Sequence, residues 1–264
     1  MLRTVSAHME LDISGRTSMV FSLAVAQGAD LASERLSLSL DGRRIEPREL
    51  VDRHGSRLHE LISEAGRMTV DYAAEVRGQS SPAPVDDLDL VVYLRPSRYC
   101  ESDVLTPTAR SEFWGLSGQV LLSAVGSWVS ERVSYVPGSS RVTDGAVGTL
   151  LARQGVCRDY AHLVIALLRG IDVPARMAAV YAPGLSPMDF HAVAEAYIDG
   201  RWQIVDATGL APRQSLVRIS TGRDAADIAF LTNHWADLTL LDLQVLAIVD
   251  ELPRDSAELA VQLR

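Results

Sequence analysis

One apolar segment constrains the fold of this chain more than any other, the stretch "CRDYAHLVIALLRG" at residues 157–170. Its apolar residues form two stripes at helical spacing, which are Ala161, Val164, Ile165 and Leu168 on one side and Tyr160, Leu163 and Leu167 on the other. A helix that is apolar nearly all round is buried rather than amphipathic. Arg169, Gly170 and Pro174 then provide signals that end it. The segment therefore predicts a central helix that other elements must cover.

Cys157, one of only two cysteines in the chain, lies in the first turn of this predicted helix. Gly155 is a tolerable N-cap, so free backbone N–H groups and the positive end of the helix dipole are expected beside the thiol. Both favour a thiolate and stabilise a developing oxyanion. The alternative is a small core residue, because free cysteine is among the most buried residue types. A nucleophile also needs a base and a group that orients the base.

A predicted hairpin supplies both groups. The dipeptide "DG" at 199–200 is typical of a type I′ turn between two strands, and a two-residue loop pairs Ile198 with Arg201. In that register His191 and Asp206 share one face as diagonal neighbours, with Cα atoms roughly 7–8 Å apart. An imidazole–carboxylate hydrogen bond is then within reach. The alternative is a partly buried histidine with another acceptor, and a three-residue loop would separate the two side chains.

The rest of the chain indicates a β-rich first part, residues 1–95, and a mixed second part, residues 96–264. Residues 1–77 contain short alternating segments with a "DG" turn at 41–42, and residues 79–89 resemble a linker or long loop. The further predicted elements are helical spacing over 108–136, a short helix at 144–152, and strands at 175–182, 190–198, 201–207, 214–219 and 237–249.

Composition narrows the possible functions. The chain has 264 residues, a formal net charge of −9 and a pI of about 5.1, without any Lys/Arg-rich run, which disfavours nucleic acid as a partner. No window approaches the ~18 apolar residues of a membrane span, and residues 1–25 lack the apolar core of a signal peptide. Two cysteines make no disulfide framework, so we expect a cytoplasmic protein with free thiols. No metal-binding motif occurs, and neither a metal nor another cofactor is expected.

Four sequence blocks carry a family resemblance. They are "GVCRDYAHL" at 155–163, "GIDVPARMAAVY" at 170–181, "DFHAVAEAYIDGRW" at 189–202 and "VDATG" at 205–209. In order and spacing they are similar to bacterial members of the transglutaminase-like superfamily, over roughly residues 110–235. Two departures occur: the family commonly has Trp after the histidine, where this chain has Ala192, and "DPT" in place of "DAT".

The resemblance implies an α+β fold with a papain-like core, in which the helix bearing Cys157 packs on an antiparallel sheet, preceded by a β-rich N-terminal domain. It implies Cys157 as nucleophile, His191 as base and Asp206 as the residue that orients the base. By analogy with the glutamine that precedes papain-type cysteines, Gln154 is a candidate for an accessory role at the oxyanion.

The expected function is that of a cysteine hydrolase or acyltransferase. The first hypothesis is a cysteine-dependent amide-bond hydrolase, a peptidase or amidase, which acts on a peptide or other amide through a thioester intermediate. The alternatives are a protein-glutamine transamidase that uses the same triad, and a non-catalytic binding module in which the triad is idle.

Overall fold

The first third of the chain forms two facing β-sheets, described here from a computed structural model that covers residues 1–264. Seven strands precede the first helix: β1 (Leu2–Ile13), β2 (Thr17–Phe21), β3 (Asp30–Leu40), β4 (Arg43–Ile45), β5 (Arg48–Val51), β6 (Arg57–Ser63) and β7 (Gly66–Arg77). In one sheet β1, β7, β3 and β4 are successive neighbours, and in the other β2, β6 and β5 are. All of these pairs are antiparallel.

Alternation along these strands builds the core between the two sheets. In β1, Val5, Ala7 and Met9 are buried while the residues between them are partly exposed. They pack in one apolar cluster with Met19 and Phe21 from the second sheet. The half-exposed strands predicted over residues 1–77 are therefore confirmed, and the alternation is clearest in β1 and β7, where one face is excluded from water.

Six α-helices follow: α1 (Asp87–Val92), α2 (Ser102–Phe113), α3 (Gly118–Arg132), α4 (Ala146–Ala152), α5 (Cys157–Gly170) and α6 (Ala225–Ile228). None of them has the length and apolar character that crossing a bilayer requires. The helical spacing predicted over 108–136 is interrupted between α2 and α3. Gly115 and Gly118 there have φ values of 85° and 58°, a left-handed conformation that glycine adopts at little cost and that ends a helix.

A four-stranded antiparallel sheet supports α5. Its strands are β10 (Ala175–Tyr181), β11 (Phe190–Ile198), β12 (Arg201–Val205) and β13 (Val217–Gly222), in the order β12-β11-β10-β13. Two short strands, β8 (Ser134–Tyr135) and β9 (Gln154–Gly155), pair in parallel just before α5. Twelve of the fourteen residues of α5 are buried, which confirms the predicted central helix. The predicted α+β fold, with the cysteine-bearing helix on an antiparallel sheet, is confirmed as well.

The chain ends by returning to the N-terminal sheets. Strand β14 (Leu231–His234) pairs with β2, and β15 (Leu238–Val249) pairs with β1 along its length. The division of the chain at residue 95 stays a prediction. The observed pairing shows that β14 and β15, from the C-terminal part of the sequence, complete the two sheets formed by the first 77 residues.

A buried charge cluster lies within the four-stranded sheet. Glu195 on β11 receives hydrogen bonds from Arg176 Nε at 2.9 Å and from both terminal nitrogens of Arg218, at 2.8 and 2.7 Å. The guanidinium of Arg176 also lies 4.0 Å from the centre of the Trp202 ring. Burial by itself would raise the pKa of Glu195, but the two arginines outweigh it and lower the pKa to about 2. The carboxylate therefore stays ionised and joins β10, β11 and β13.

Replacing Glu195 by Ala should destabilise the protein strongly, because two largely buried guanidinium groups would lose the carboxylate that they share. We expect the free energy of unfolding to fall by about 3–5 kcal/mol in urea titrations. The matched control is Glu131→Ala, since the Glu131 side chain is 73% exposed and lies 3.8 Å from Arg132. That change should cost less than about 1 kcal/mol. Equal stability of the two variants would contradict the structural role of the cluster.

Candidate active site

The β11–β12 hairpin brings His191 and Asp206 together. Asp199 and Gly200 have φ values of 53° and 76°, as a type I′ turn requires, and Ile198 pairs with Arg201. This is the register that the sequence predicts. Strand β12 ends at Val205, so Asp206 lies just beyond it, and His191 Nε2 is 2.8 Å from Asp206 Oδ2. Both side chains are almost completely buried.

Asp206 is held as a carboxylate. Its Oδ1 accepts hydrogen bonds from the Thr208 backbone N–H at 2.9 Å and from the Thr208 hydroxyl at 2.7 Å, while Oδ2 faces His191. Burial would raise the pKa of Asp206, but the charge and hydrogen bond of His191 and the two bonds from Thr208 lower it. The Asp206 carboxylate therefore has fixed orientation and charge. These are the properties needed to hold an imidazole in one tautomer.

Cys157 is the first residue of α5, and the helix start is fixed by a local hydrogen bond. The N-cap is Val156 rather than Gly155, and its N–H donates to Asp159 Oδ2 at 2.8 Å. A side chain at Gly155 would meet the Asp159 Cβ at 2.7 Å, so only glycine fits there. Asp159 therefore has a structural role. It closes the first turn and adds negative charge at the positive end of the helix dipole.

The Cys157 thiol lies beside the imidazole of His191. Nε2 of that ring faces Asp206, and Nδ1 is buried without a hydrogen-bond partner in the chain. Burial would lower the pKa of His191, but the charge and hydrogen bond of Asp206, with a smaller effect of the neighbouring Cys157, raise it to about 10. The imidazole is therefore protonated at neutral pH, and an imidazolium favours a neighbouring thiolate. The structure brings Cys157, His191 and Asp206 together, and their catalytic roles stay a prediction.

Tyr135 is a site residue that the sequence analysis missed. The parallel pairing of β8 with β9 sets Tyr135 opposite Gly155, two residues before Cys157. Burial raises the pKa of the Tyr135 hydroxyl to about 12, and the charge of Cys157 contributes, while an interaction with the Cys157 backbone N–H opposes the rise. The hydroxyl therefore lies at the N-terminus of α5. Two-residue strands leave no periodic signal, so nothing local in the sequence indicated this contact.

The other candidates lie as follows. Gln154 is exposed in β9 and its side chain forms no hydrogen bond, so its accessory role at the oxyanion stays a prediction.

Cys100 is fully buried, and burial raises the pKa of its thiol to about 12, which makes it unreactive at neutral pH. His162 is buried and stacks on Tyr99, and its Nε2 accepts the Ala225 N–H at 3.1 Å. Within the chain, no group of three or more His, Cys, Asp or Glu side chains is arranged to hold a metal ion.

A cysteine at the start of a buried helix, facing a histidine–carboxylate pair on an antiparallel sheet, is the arrangement of papain-like cysteine hydrolases and acyltransferases. The sequence model of the transglutaminase-like superfamily matches residues 120–207, which include all three side chains. The chain belongs to the transglutaminase-like superfamily.

One of the similar proteins matches this chain over nearly its whole length. A crystal structure of a candidate cysteine protease from Cytophaga hutchinsonii is 32% identical with a TM-score of 0.88, covering 98% of this chain and 95% of that one. The periplasmic domain of TgpA from Pseudomonas aeruginosa is 17% identical with a TM-score of 0.42, covering 76% of this chain and 86% of that one. An uncharacterised protein of Mycobacterium leprae is 26% identical over 141 residues, about half the length of each protein, 49% in both cases.

Replacing Asp206 by Asn should make the reactivity of Cys157 depend more steeply on pH. Without the carboxylate charge, burial dominates and lowers the pKa of His191, so the imidazole is neutral at pH 6. We expect the rate of Cys157 alkylation by iodoacetamide at pH 6 to fall by about tenfold or more. Mass spectrometry assigns the label to Cys157, and Cys100 should stay unlabelled.

The matched control is Asp172→Asn, because the Asp172 side chain is 85% exposed at the far end of α5. It should alkylate like the unmodified protein at every pH. An Asp206→Asn variant with the same pH profile as this control would show that the carboxylate does not set the charge of His191.

Proposed function

We propose that this protein is a cysteine-dependent amide hydrolase that acts through Cys157, His191 and Asp206. The observation that carries the proposal is the 2.8 Å hydrogen bond between His191 Nε2 and Asp206 Oδ2. It leaves Nδ1 as the ring nitrogen available to Cys157, and it supports an imidazolium beside the thiol. An idle binding module would gain nothing from a buried charged pair, which costs desolvation.

The reaction follows from the positions of these groups. The Cys157 thiolate attacks the amide carbonyl carbon, and the carbonyl oxygen becomes an oxyanion beside the N-terminus of α5. The first backbone N–H groups of a helix lack acceptors within the helix, so those at the start of α5 can stabilise this charge. His191 then donates its proton to the amine nitrogen as the carbon–nitrogen bond breaks, which leaves a thioester. A water molecule that loses its proton to His191 cleaves the thioester and releases a carboxylic acid.

A protease or peptidase is the form of this activity that the relatives support, because the structure from Cytophaga hutchinsonii is of a candidate cysteine protease with a matching fold over nearly the whole chain. Acyl transfer to an amine would use the same three residues and would differ only in the second nucleophile. The triad geometry does not distinguish water from an amine, so products must separate the two reactions.

The central test is cleavage of casein, in water enriched in oxygen-18 and with monodansylcadaverine as a competing amine. A hydrolase places one heavy oxygen in each new carboxyl group and forms no dansyl amide, and mass spectrometry reads both products. Cys157→Ser should lower the rate by about a thousandfold or more, because an alcohol is a poor nucleophile beside an imidazolium. Dansyl amide as the main product would identify an acyltransferase instead, and the same activity in Cys157→Ser would overturn the proposal.

Replacing Tyr135 by Phe tests whether the hydroxyl at the start of α5 contributes to the oxyanion site. We expect kcat to fall by about tenfold, since a donor to a developing oxyanion acts in the transition state. The rate of Cys157 alkylation by iodoacetamide should change less than about twofold, because no oxyanion forms in that reaction. A variant with unchanged kcat would assign Tyr135 to packing alone.

A further inference from the structure

Asp189 is an ionisable residue that the proposed triad does not use, although it lies two residues before His191. It directly precedes β11, and side chains two residues apart in extended chain point to the same side. Its Oδ1 accepts the backbone N–H of Phe190 at 2.7 Å, and it forms no ion pair with any Arg or Lys. The residue is exposed to solvent, so a charged partner from outside the protein can reach it.

The charge of Asp189 acts on the site. Partial desolvation raises the pKa of Asp189, while the Phe190 N–H and the charge of His191 oppose the rise. In turn, the Asp189 charge is one of the causes, after burial and Cys157, that raise the pKa of Tyr135. The backbone geometry agrees, because Asp189 and His191 lie two residues apart on one side of extended chain, and charge interactions weaken with distance and with solvent screening. Asp189 therefore places negative charge at the approach to Cys157.

The nearest positive side chain at the start of α5 is already engaged. The Arg158 guanidinium contacts the Ser140 hydroxyl at 2.5 Å, the Arg141 carbonyl at 2.7 Å and the Asp159 carboxylate at 3.4 Å. Because it is held by the loop before α4 and by the capping carboxylate, it does not neutralise Asp189.

Exposed apolar side chains lie near the start of α5. Tyr135, on which the charge of Asp189 acts, is 39% exposed, and Val136, whose N–H donates to the Gly155 carbonyl, is 37% exposed. A surface that combines one unpaired carboxylate with flanking apolar groups suits a ligand with a cationic tip on an apolar stem, such as a lysine side chain.

We infer that Asp189 makes this site selective for amides that carry a positive charge close to the bond attacked, as in a peptide with lysine or arginine beside the scissile bond. Asp189 is a specificity residue in this inference and takes no part in bond breaking. The inference rests on the proposed function only in treating Cys157 as the nucleophile.

Charged thiol reagents test the inference without knowledge of the substrate. Methanethiosulfonates with a trimethylammonioethyl or a sulfonatoethyl group have similar size and opposite charge. Each forms a mixed disulfide with the Cys157 thiolate and expels methanesulfinate. The ratio of the two rate constants, cation over anion, reports the electrostatic potential at Cys157. In Asp189→Asn the ratio should fall by about threefold or more at low ionic strength, and less in high salt.

Two features keep this test specific. Asparagine retains the Oδ1 acceptor for the Phe190 N–H, so the turn is preserved, and thermal unfolding checks that the variant is folded. Asp172→Asn removes one equal charge at an exposed position at the far end of α5 and should leave the ratio unchanged. A peptide pair with lysine or norleucine beside the scissile bond gives the second measurement, since Asp189→Asn should lower kcat/KM for the lysine peptide alone.

Failure of the proposed function and failure of the Asp189 inference give different results. A Cys157 that reacts no faster than glutathione with both reagents overturns the proposed function. A Cys157 that reacts fast, with a cation-to-anion ratio that is the same in Asp189→Asn and Asp172→Asn, overturns the role of Asp189 and leaves the proposed function intact. A ratio that falls in Asp189→Asn alone supports the inference.

Discussion

The burial of α5 against the four-stranded sheet is the constraint on which the rest of the structure depends. Its apolar side chains pack in one cluster with alanines of β11 and with residues of α2 and α3, so the helix has no freedom to turn or slide. Cys157 sits at the end of this fixed element and is only half-buried. The thiol therefore combines a rigid position with access to solvent, which a nucleophile requires and a core cysteine such as Cys100 lacks.

The sheet supplies the other half of the site, His191 and Asp206, on strands that are separate from α5. Glu195, four residues along β11 from His191, is clamped by Arg176 of β10 and Arg218 of β13. This cluster holds the strands in one register, and the Asp199–Gly200 turn fixes the register of β12. Two rigid elements, the helix start and the hairpin, thus meet at Cys157 and His191. Because the reacting groups are already held in position, little conformational entropy is lost when they react.

Much of this arrangement was predictable, because it follows from local rules. The apolar run of α5, the Asp-Gly turn and strand alternation are properties of short segments, and together they placed His191 beside Asp206. The family resemblance added the fold. The break between α2 and α3 was missed, because the apolar spacing continues across Gly115 and Gly118. Periodicity reports which faces are apolar, and it does not report where the backbone turns.

By itself the sequence determined the central helix, the β11–β12 hairpin and which of their side chains share a face, because these depend on neighbours within a few residues. Only the tertiary structure decided which distant elements meet. Tyr135 reaches the start of α5 through a two-residue strand, and β15 at Leu238–Val249 pairs with β1 at the opposite end of the sequence. The charge on His191 is likewise a tertiary property, since burial and Asp206 act on it in opposite directions and only the folded geometry fixes the balance.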